Sequence, residues 1–206
     1  MAWRCSGSSN RELIKNLYDS KIINDKRTYE SFLAVDRAHF APSSPYKDSP
    51  QSIGHGATIS APHVHASAAD LLRDHLKPGC KVLDVGCGSG YLCAVFAQLV
   101  KPHGIVIGID HLPELTKLAS ENLKKDSQHA QWLEDGTIKL ITGDGRQGYQ
   151  AEAPYDAIHV GAAAPVIPKA LIEQLKTPGK MFIPVGTFDQ SIYEAIKPFS
   201  NIKLTH

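Results

Sequence analysis

The sequence predicts an α/β fold: a doubly wound, mostly parallel sheet with a helical extension on its N-terminal side. Two observations carry that expectation. From residue 81 onward, short apolar runs of strand length alternate with longer helix-like segments, the order that a parallel sheet with crossover helices requires. The first of those runs leads into "DVGCGSGYLCA", residues 84–94, where Gly86, Gly88 and Gly90 stand at alternate positions before a helical stretch.

Before residue 81 the pattern is helical. Residues 9–19 carry Leu13, Ile14 and Leu17 at helical spacing. Residues 25–35 read as a second helix with Asp25 as its cap. The segment 39–60, "HFAPSSPYKDSPQSIGHGATIS", is too rich in Pro, Ser and Gly for a long regular element. Loops of that length in compact domains are often functional. Residues 60–76 read as a helix that Ser60 can cap, with Pro62 in its first turn, and "KPG" at 77–79 ends it.

The alternating part follows. Strands are expected at 81–86, 104–110, 137–144, 155–162 and 179–186, with helices at about 90–100, 113–125 and 167–176. The tail, 187–206, offers one weak strand, "IKL" at 202–204. The whole chain, 1–206, reads as one domain. Residues 1–76 form its helical extension and substrate-side loop, 77–186 its cofactor-binding core, and 187–206 a short tail.

Composition narrows the function. With 42% hydrophobic and 21% charged residues, the chain is globular rather than disordered. Lys plus Arg number 22 and Asp plus Glu 21, so nothing marks a strongly electrostatic partner such as nucleic acid or a membrane surface. No apolar run is long enough to span a bilayer, and the start has no secretory h-region. Cys5, Cys80, Cys87 and Cys93 form no CxxC pair and read as free thiols, which points to the cytoplasm.

The glycine turn poses the functional question. A strand, a Gly-rich turn and a helix let a ligand approach the backbone, with helix-end N–H groups aimed at it. An acid closing the next strand grips ribose hydroxyls in such folds, and Asp110 stands there. The dinucleotide fingerprint needs a glycine at position 91, which is Tyr. The pattern is instead DxGxGxG, with Asp84 two residues before Gly86. An acid there suits the cationic methionine end of S-adenosylmethionine, so the turn reads as the methyltransferase variant of the Rossmann plan. Asp144 of "GDG" can then face the adenine amino group. Each residue also has a plainer reading: Asp110 as a helix cap, Asp144 as a turn residue, Cys87 as a space-filler. His63 and His65 form HxH without a third ligand at metal spacing. His159 reads as strand packing.

Taken together, "DSPQSIGHGATISAPHVHA" (48–66), "VLDVGCGSGYL" (82–92), "IGIDH" (107–111), "GDGRQGY" (143–149), "APYDAIHVGAAAP" (153–165) and "IPVG" (183–186) closely resemble the protein-L-isoaspartate (D-aspartate) O-methyltransferase family of the eukaryotic type. The resemblance implies methyl transfer from S-adenosyl-L-methionine to the free carboxyl of L-isoaspartyl or D-aspartyl residues in damaged proteins. The ester then closes to a succinimide, and hydrolysis returns some normal aspartate. It implies Ser60 in the active site. It places Ala57, Thr58, Ile59, His65, Ser89, Asp110, His111, Gly143 and Asp144 around the cofactor, beside Asp84, Gly86, Gly88 and Gly90 of the turn. A monomer is expected, with no metal, nucleic acid or membrane partner.

Two departures bear on that reading. Cys87 stands where the family usually has Ser. The tail ends in "SNIKLTH" in place of the family's further "YVPL"-type strand, so the sheet edge and one pocket wall are expected to differ from the family's. Three other readings stand beside the first. A nucleic-acid methylase would carry a [DN]PPY-type motif where this chain has "VGAAAP". A nicotinamide dehydrogenase is opposed by Tyr91. The last is a cofactor-binding protein of the same fold with little activity for want of the tail strand.

Overall fold

The computed structural model describes residues 5–186, 191–197 and 203–205. Two helices come first, α1 (Asn10–Asp19) and α2 (Lys26–Leu33). Their caps are local: the Ser9 side chain accepts from the Glu12 N–H and Asp25 from the Thr28 N–H. Each helix then buries one stripe, Leu13, Ile14 and Leu17 on α1 and Phe32 on α2. Arg27 fastens α2 to the rest of the chain, donating to the carbonyls of Arg73 (2.8 Å) and Leu99 (3.1 Å).

The segment expected to be loop throughout, 39–60, holds a short hairpin, β1 (Gln51–Gly54) with β2 (Ala57–Ile59). Gly54 and Gly56 turn it at positive φ (87° and 72°). The next helix, α3 (Pro62–Leu72), starts later than expected and runs into a single 3-10 turn at Arg73–His75.

The alternating part contains β3 (Lys81–Val85), α4 (Tyr91–Val100), β4 (Ile105–Asp110), α5 (Pro113–Leu123), α6 (Ser127–Glu134), β5 (Ile138–Thr142), β6 (Tyr155–Val160), α7 (Lys169–Gln174) and β7 (Leu175–Val185). Helix α6 was not foreseen, because its eight residues carry a weak apolar stripe. Its cap is plain in retrospect: Asp126 accepts from the N–H groups of both Gln128 and His129.

The tail corrects the sequence expectation. It supplies two strands, β8 (Ser191–Lys197) and β9 (Lys203–Thr205), which continue the sheet, β8 antiparallel to β7 and β9 antiparallel to β8. Of the expected strand at 202–204, Lys203 and Leu204 are in β9 and Ile202 lies outside the described residues. The edge of β7 is therefore paired from Gly179 to Val185.

The seven strands lie in the order β5-β4-β3-β6-β7-β8-β9, the first five parallel. Chain order reverses between β3 and β6, and ligands bind beyond the strand carboxyl ends at such a reversal. Side chains alternate across the sheet with period two. Leu83, Val85, Ile107, Ile109, Ile158 and Val160 face one core, which α7 covers through Leu171. Val82, Val106, Ala157 and Phe182 face the other, beneath α1–α4. The second face also holds a row that is not apolar: Asp84 lies between Gly108 and His159, and His159 beside Phe182.

Candidate active site

The glycine turn joins β3 to α4 at the strand reversal. Gly86, Gly88 and Gly90 all take positive φ (77°, 51° and 84°), which side-chain-bearing residues adopt only with strain. Gly90 has a second constraint. A Cβ there would stand 3.1 Å from the Ala119 Cβ, so its bareness lets α4 begin against α5. The turn is tied to the next strand by Asp110, whose Oδ2 accepts the Gly88 N–H at 3.0 Å. Asp110 is 5% exposed at the end of β4.

Two cavities open beyond the sheet, and both touch Gly86. The larger holds about 680 Å³. Its walls are apolar at Ile109, Val160, Ala162, Pro168 and Leu171, with Asp110, His111, Gly143, Asp144 and Arg146 along one side. An apolar slot with a few convergent polar groups is the usual form of a small-molecule site. Asp144 does act as a turn residue, accepting the Arg146 N–H at 3.0 Å and pairing with its guanidinium at 2.9 and 3.0 Å. Those bonds from Arg146 hold its carboxyl below the usual carboxylate range.

The smaller cavity, about 40 Å³, is lined by Thr58, Ile59 and Ser60 from the hairpin end. Its other walls are His65 of α3, Asp84, the glycine turn from Gly86 to Ser89, and His159 with Gly161 at the end of β6. Tyr91 and Leu92 from the first turn of α4 complete it. Space of that size takes roughly three water-sized groups, at the ~10–15 Å³ each requires.

Ser60 does not cap α3, contrary to the sequence expectation. The N-cap is Ala61, which has no side-chain hydrogen bond. The capping acceptor comes from a distant residue: Asp48 Oδ1 receives the His63 N–H at 3.0 Å and the His63 ring at 2.8 Å. Ser60 is held through its backbone. Its carbonyl accepts from Arg37 Nη2 at 2.7 Å, and Arg37 Nη1 lies 3.1 Å from His65 Nδ1. Arg37 is fully buried, its guanidinium 5.0 Å from the centre of the Tyr91 ring. Burial first, and the neighbouring Arg37 charge second, push the His65 imidazole well below its ordinary value, so it is neutral. Burial also raises the Tyr91 phenol to about 12. The HxH residues thus have separate partners, His63 with Asp48 and His65 with Arg37.

Asp84 also has a structural part. It borders the smaller cavity, yet its oxygens are already engaged: Oδ1 by His159 Nδ1 at 2.7 Å, Oδ2 by the Cys93 thiol at 3.2 Å. It is 1% exposed and forms part of the floor of the cavity that it lines. His159 does pack in the strand core, stacked on Phe182 at 5.5 Å, but it also reaches the cavity wall. Cys87 fills space in the turn, 7% exposed.

Of the expected site residues, Thr58, Ile59, Ser60, His65, Asp84, Gly86, Gly88 and Ser89 gather at the smaller cavity. Asp110, His111, Gly143 and Asp144 gather at the larger. Ala57 and Gly90 line neither: Ala57 sits in β2 opposite Gly54, and Gly90 lies against α5. Sequence reasoning missed Arg37 altogether, and it underrated His159. A buried arginine carries no signal in an exposed-looking run such as "AVDRAHF", whereas a histidine inside an apolar strand does.

Comparison with known proteins gives the family. Residues 8–204 match the family model described as protein-L-isoaspartate(D-aspartate) O-methyltransferase. A protein-L-isoaspartate O-methyltransferase of Caenorhabditis elegans is 51% identical over 189 residues, 92% of this chain and 83% of that protein. One from Methanopyrus kandleri is 48% identical over 178 residues, 84% of this chain and 75% of that protein. Among solved structures, a Plasmodium falciparum protein-L-isoaspartate O-methyltransferase in complex with S-adenosyl-L-homocysteine superposes with a TM-score of 0.88. It is 36% identical and covers 96% of this chain and 94% of that one.

Proposed function

The chain belongs to the protein-L-isoaspartate(D-aspartate) O-methyltransferase family, and from that premise we propose that its adjoining cavities hold S-adenosyl-L-methionine while Ser60 holds the acceptor carboxylate. It is an S-adenosylmethionine-dependent protein carboxyl methyltransferase that acts on isoaspartyl residues. D-Aspartyl residues in damaged proteins belong to the same proposal. So does action as a monomer in the cytoplasm; four free thiols support the reducing location. The near-neutral charge, 22 basic against 21 acidic residues, supports a protein partner over nucleic acid or a membrane surface.

The residues present fit the donor. The larger cavity has apolar walls for a flat ring and Asp110 at its strand end for ribose hydroxyls. The smaller is polar and sized for an amino acid end. Gly86 touches both, and without a side chain it lets a bound molecule pass between them. That shared glycine beside Ser60 is the observation that carries the reading.

When bound, the donor supplies a methyl group on a positively charged sulfur. The chain's own task is positioning. A substrate carboxylate is already ionised at neutral pH, so no general base is needed. Ser60 orients one carboxylate oxygen by a hydrogen bond from its hydroxyl. Arg37 and Asp48 fix Ser60 indirectly, one by its carbonyl and the other by the start of α3. The turn and the hairpin exclude water from a step in which opposite charges cancel.

The alternative of a cofactor-binding protein without activity rested on a missing tail strand. Strands β8 and β9 are present, and the family match runs to residue 204. A test of the reaction class uses methyl-labelled S-adenosylmethionine and an isoaspartyl peptide. A carboxyl ester releases its label as methanol in mild base. Label that survives base treatment contradicts carboxyl methylation.

A further inference from the structure

Two histidines border the smaller cavity, and their buried partners ask opposite things of Nδ1: one an acceptor, the other a donor. An arginine guanidinium only donates, so His65 Nδ1, 3.1 Å from Arg37 Nη1, is an acceptor and the ring proton sits on Nε2. A carboxylate only accepts, so His159 Nδ1, 2.7 Å from Asp84 Oδ1, carries a proton, and the tautomer that leaves Nε2 as a lone pair satisfies that bond. Both Asp84 oxygens are engaged, because the other one takes the Cys93 thiol at 3.2 Å. Neither Nε2 has a hydrogen-bond partner among the described residues, and neither is an orphaned sealed atom. With His159 in that tautomer, one ring offers the cavity a donor and the other an acceptor.

We propose that His159 is a cofactor-binding residue whose Nε2 accepts a hydrogen bond from the α-ammonium of S-adenosylmethionine, while His65 Nε2–H donates to the α-carboxylate of the same amino acid end. Asp84 is then a positioning residue, setting the His159 tautomer from beneath. The pairing follows from sign: a lone pair needs a donor, and the ammonium is the donor of a zwitterion. The carboxylate falls on the side of His65 and the first turn of α4, whose N-terminus favours negative charge. The arrangement selects a zwitterion over either single charge. It rests on the reading that S-adenosylmethionine is the methyl donor.

The test uses the free protein and two compounds. Nitrogen-15 NMR of histidine-labelled protein should show two neutral rings of opposite tautomer, with the Nδ1–H signal absent from His159→Asn. Calorimetry then compares S-adenosylhomocysteine with its desamino analogue. Asparagine keeps a donor toward Asp84 and lacks the second nitrogen. His159→Asn should weaken S-adenosylhomocysteine about tenfold or more and leave the desamino compound unchanged. Equal weakening of both compounds overturns the assignment. So does a His159 ring protonated on both nitrogens in the NMR spectrum, which needs no variant to fold. Wild-type protein that fails to bind S-adenosylhomocysteine at all overturns the donor reading as well, so the two failures are distinguishable.

Discussion

Asp110 holds the glycine turn with one oxygen and lies on the wall of the larger cavity, so it has both a structural and a binding part. Asp110→Ala should weaken S-adenosylmethionine binding by about 1.5–3 kcal/mol, the range for hydrogen bonds to a charged group. Calorimetry reads this directly, and unchanged affinity contradicts it. Ser60 gives a cleaner separation. Since Ala61 rather than Ser60 is the N-cap, Ser60→Ala should leave the melting temperature in place. Methyl transfer should fall much more than cofactor affinity. Wild-type turnover in the variant would reduce Ser60 to a passive wall. Asp110 and Ser60 were legible because their positions follow from strand ends and a family motif. Asp84 was legible only as an acid near the turn. Its direction depends on which face of β3 it occupies, and the partner that claims it, His159, is 75 residues away.

Helix α3 is capped across the chain by Asp48, a relation that no local pattern announces. Capping rules read i to i+3, and this one spans 15 residues. Asp48→Ala should cost about 0.5–2 kcal/mol of stability, with Ser60 less firmly held and transfer slowed. Denaturant unfolding beside kinetics checks both; an unchanged midpoint contradicts the cap. The strands of the parallel core were legible element by element, because burial on both faces makes them continuous apolar runs. The hairpin β1–β2 and strand β8 were not, and β9 showed only as the weak strand at 202–204. They are short or partly polar, and pairing with a neighbour defines them more than their own residues do. Helix α7 also came out shorter than expected, because β7 begins at Leu175 and takes over its last residues.

Three histidines set how the whole molecule responds to acid. Burial, the leading cause in each, holds His65, His75 and His129 below the ordinary histidine value. The unfolded chain therefore takes up protons near pH ~6.5 that the folded chain refuses. Stability is fully present above that value and is lost as pH falls from it toward the depressed folded values. Thermal melts should drop between pH about 7.5 and about 5.5, a window above the carboxylate range; a flat profile would contradict this.

At the same scale lies the claim that matters most: the fold brings a donor site and a carboxyl-orienting serine together at one strand reversal. The most direct measurement is the rate of methyl transfer from S-adenosylmethionine to an isoaspartyl peptide, beside the aspartyl peptide of the same sequence. Steady label on the isoaspartyl peptide and none above background on the aspartyl one is the predicted result. Equal transfer to both, or transfer to neither while the cofactor binds, would contradict it.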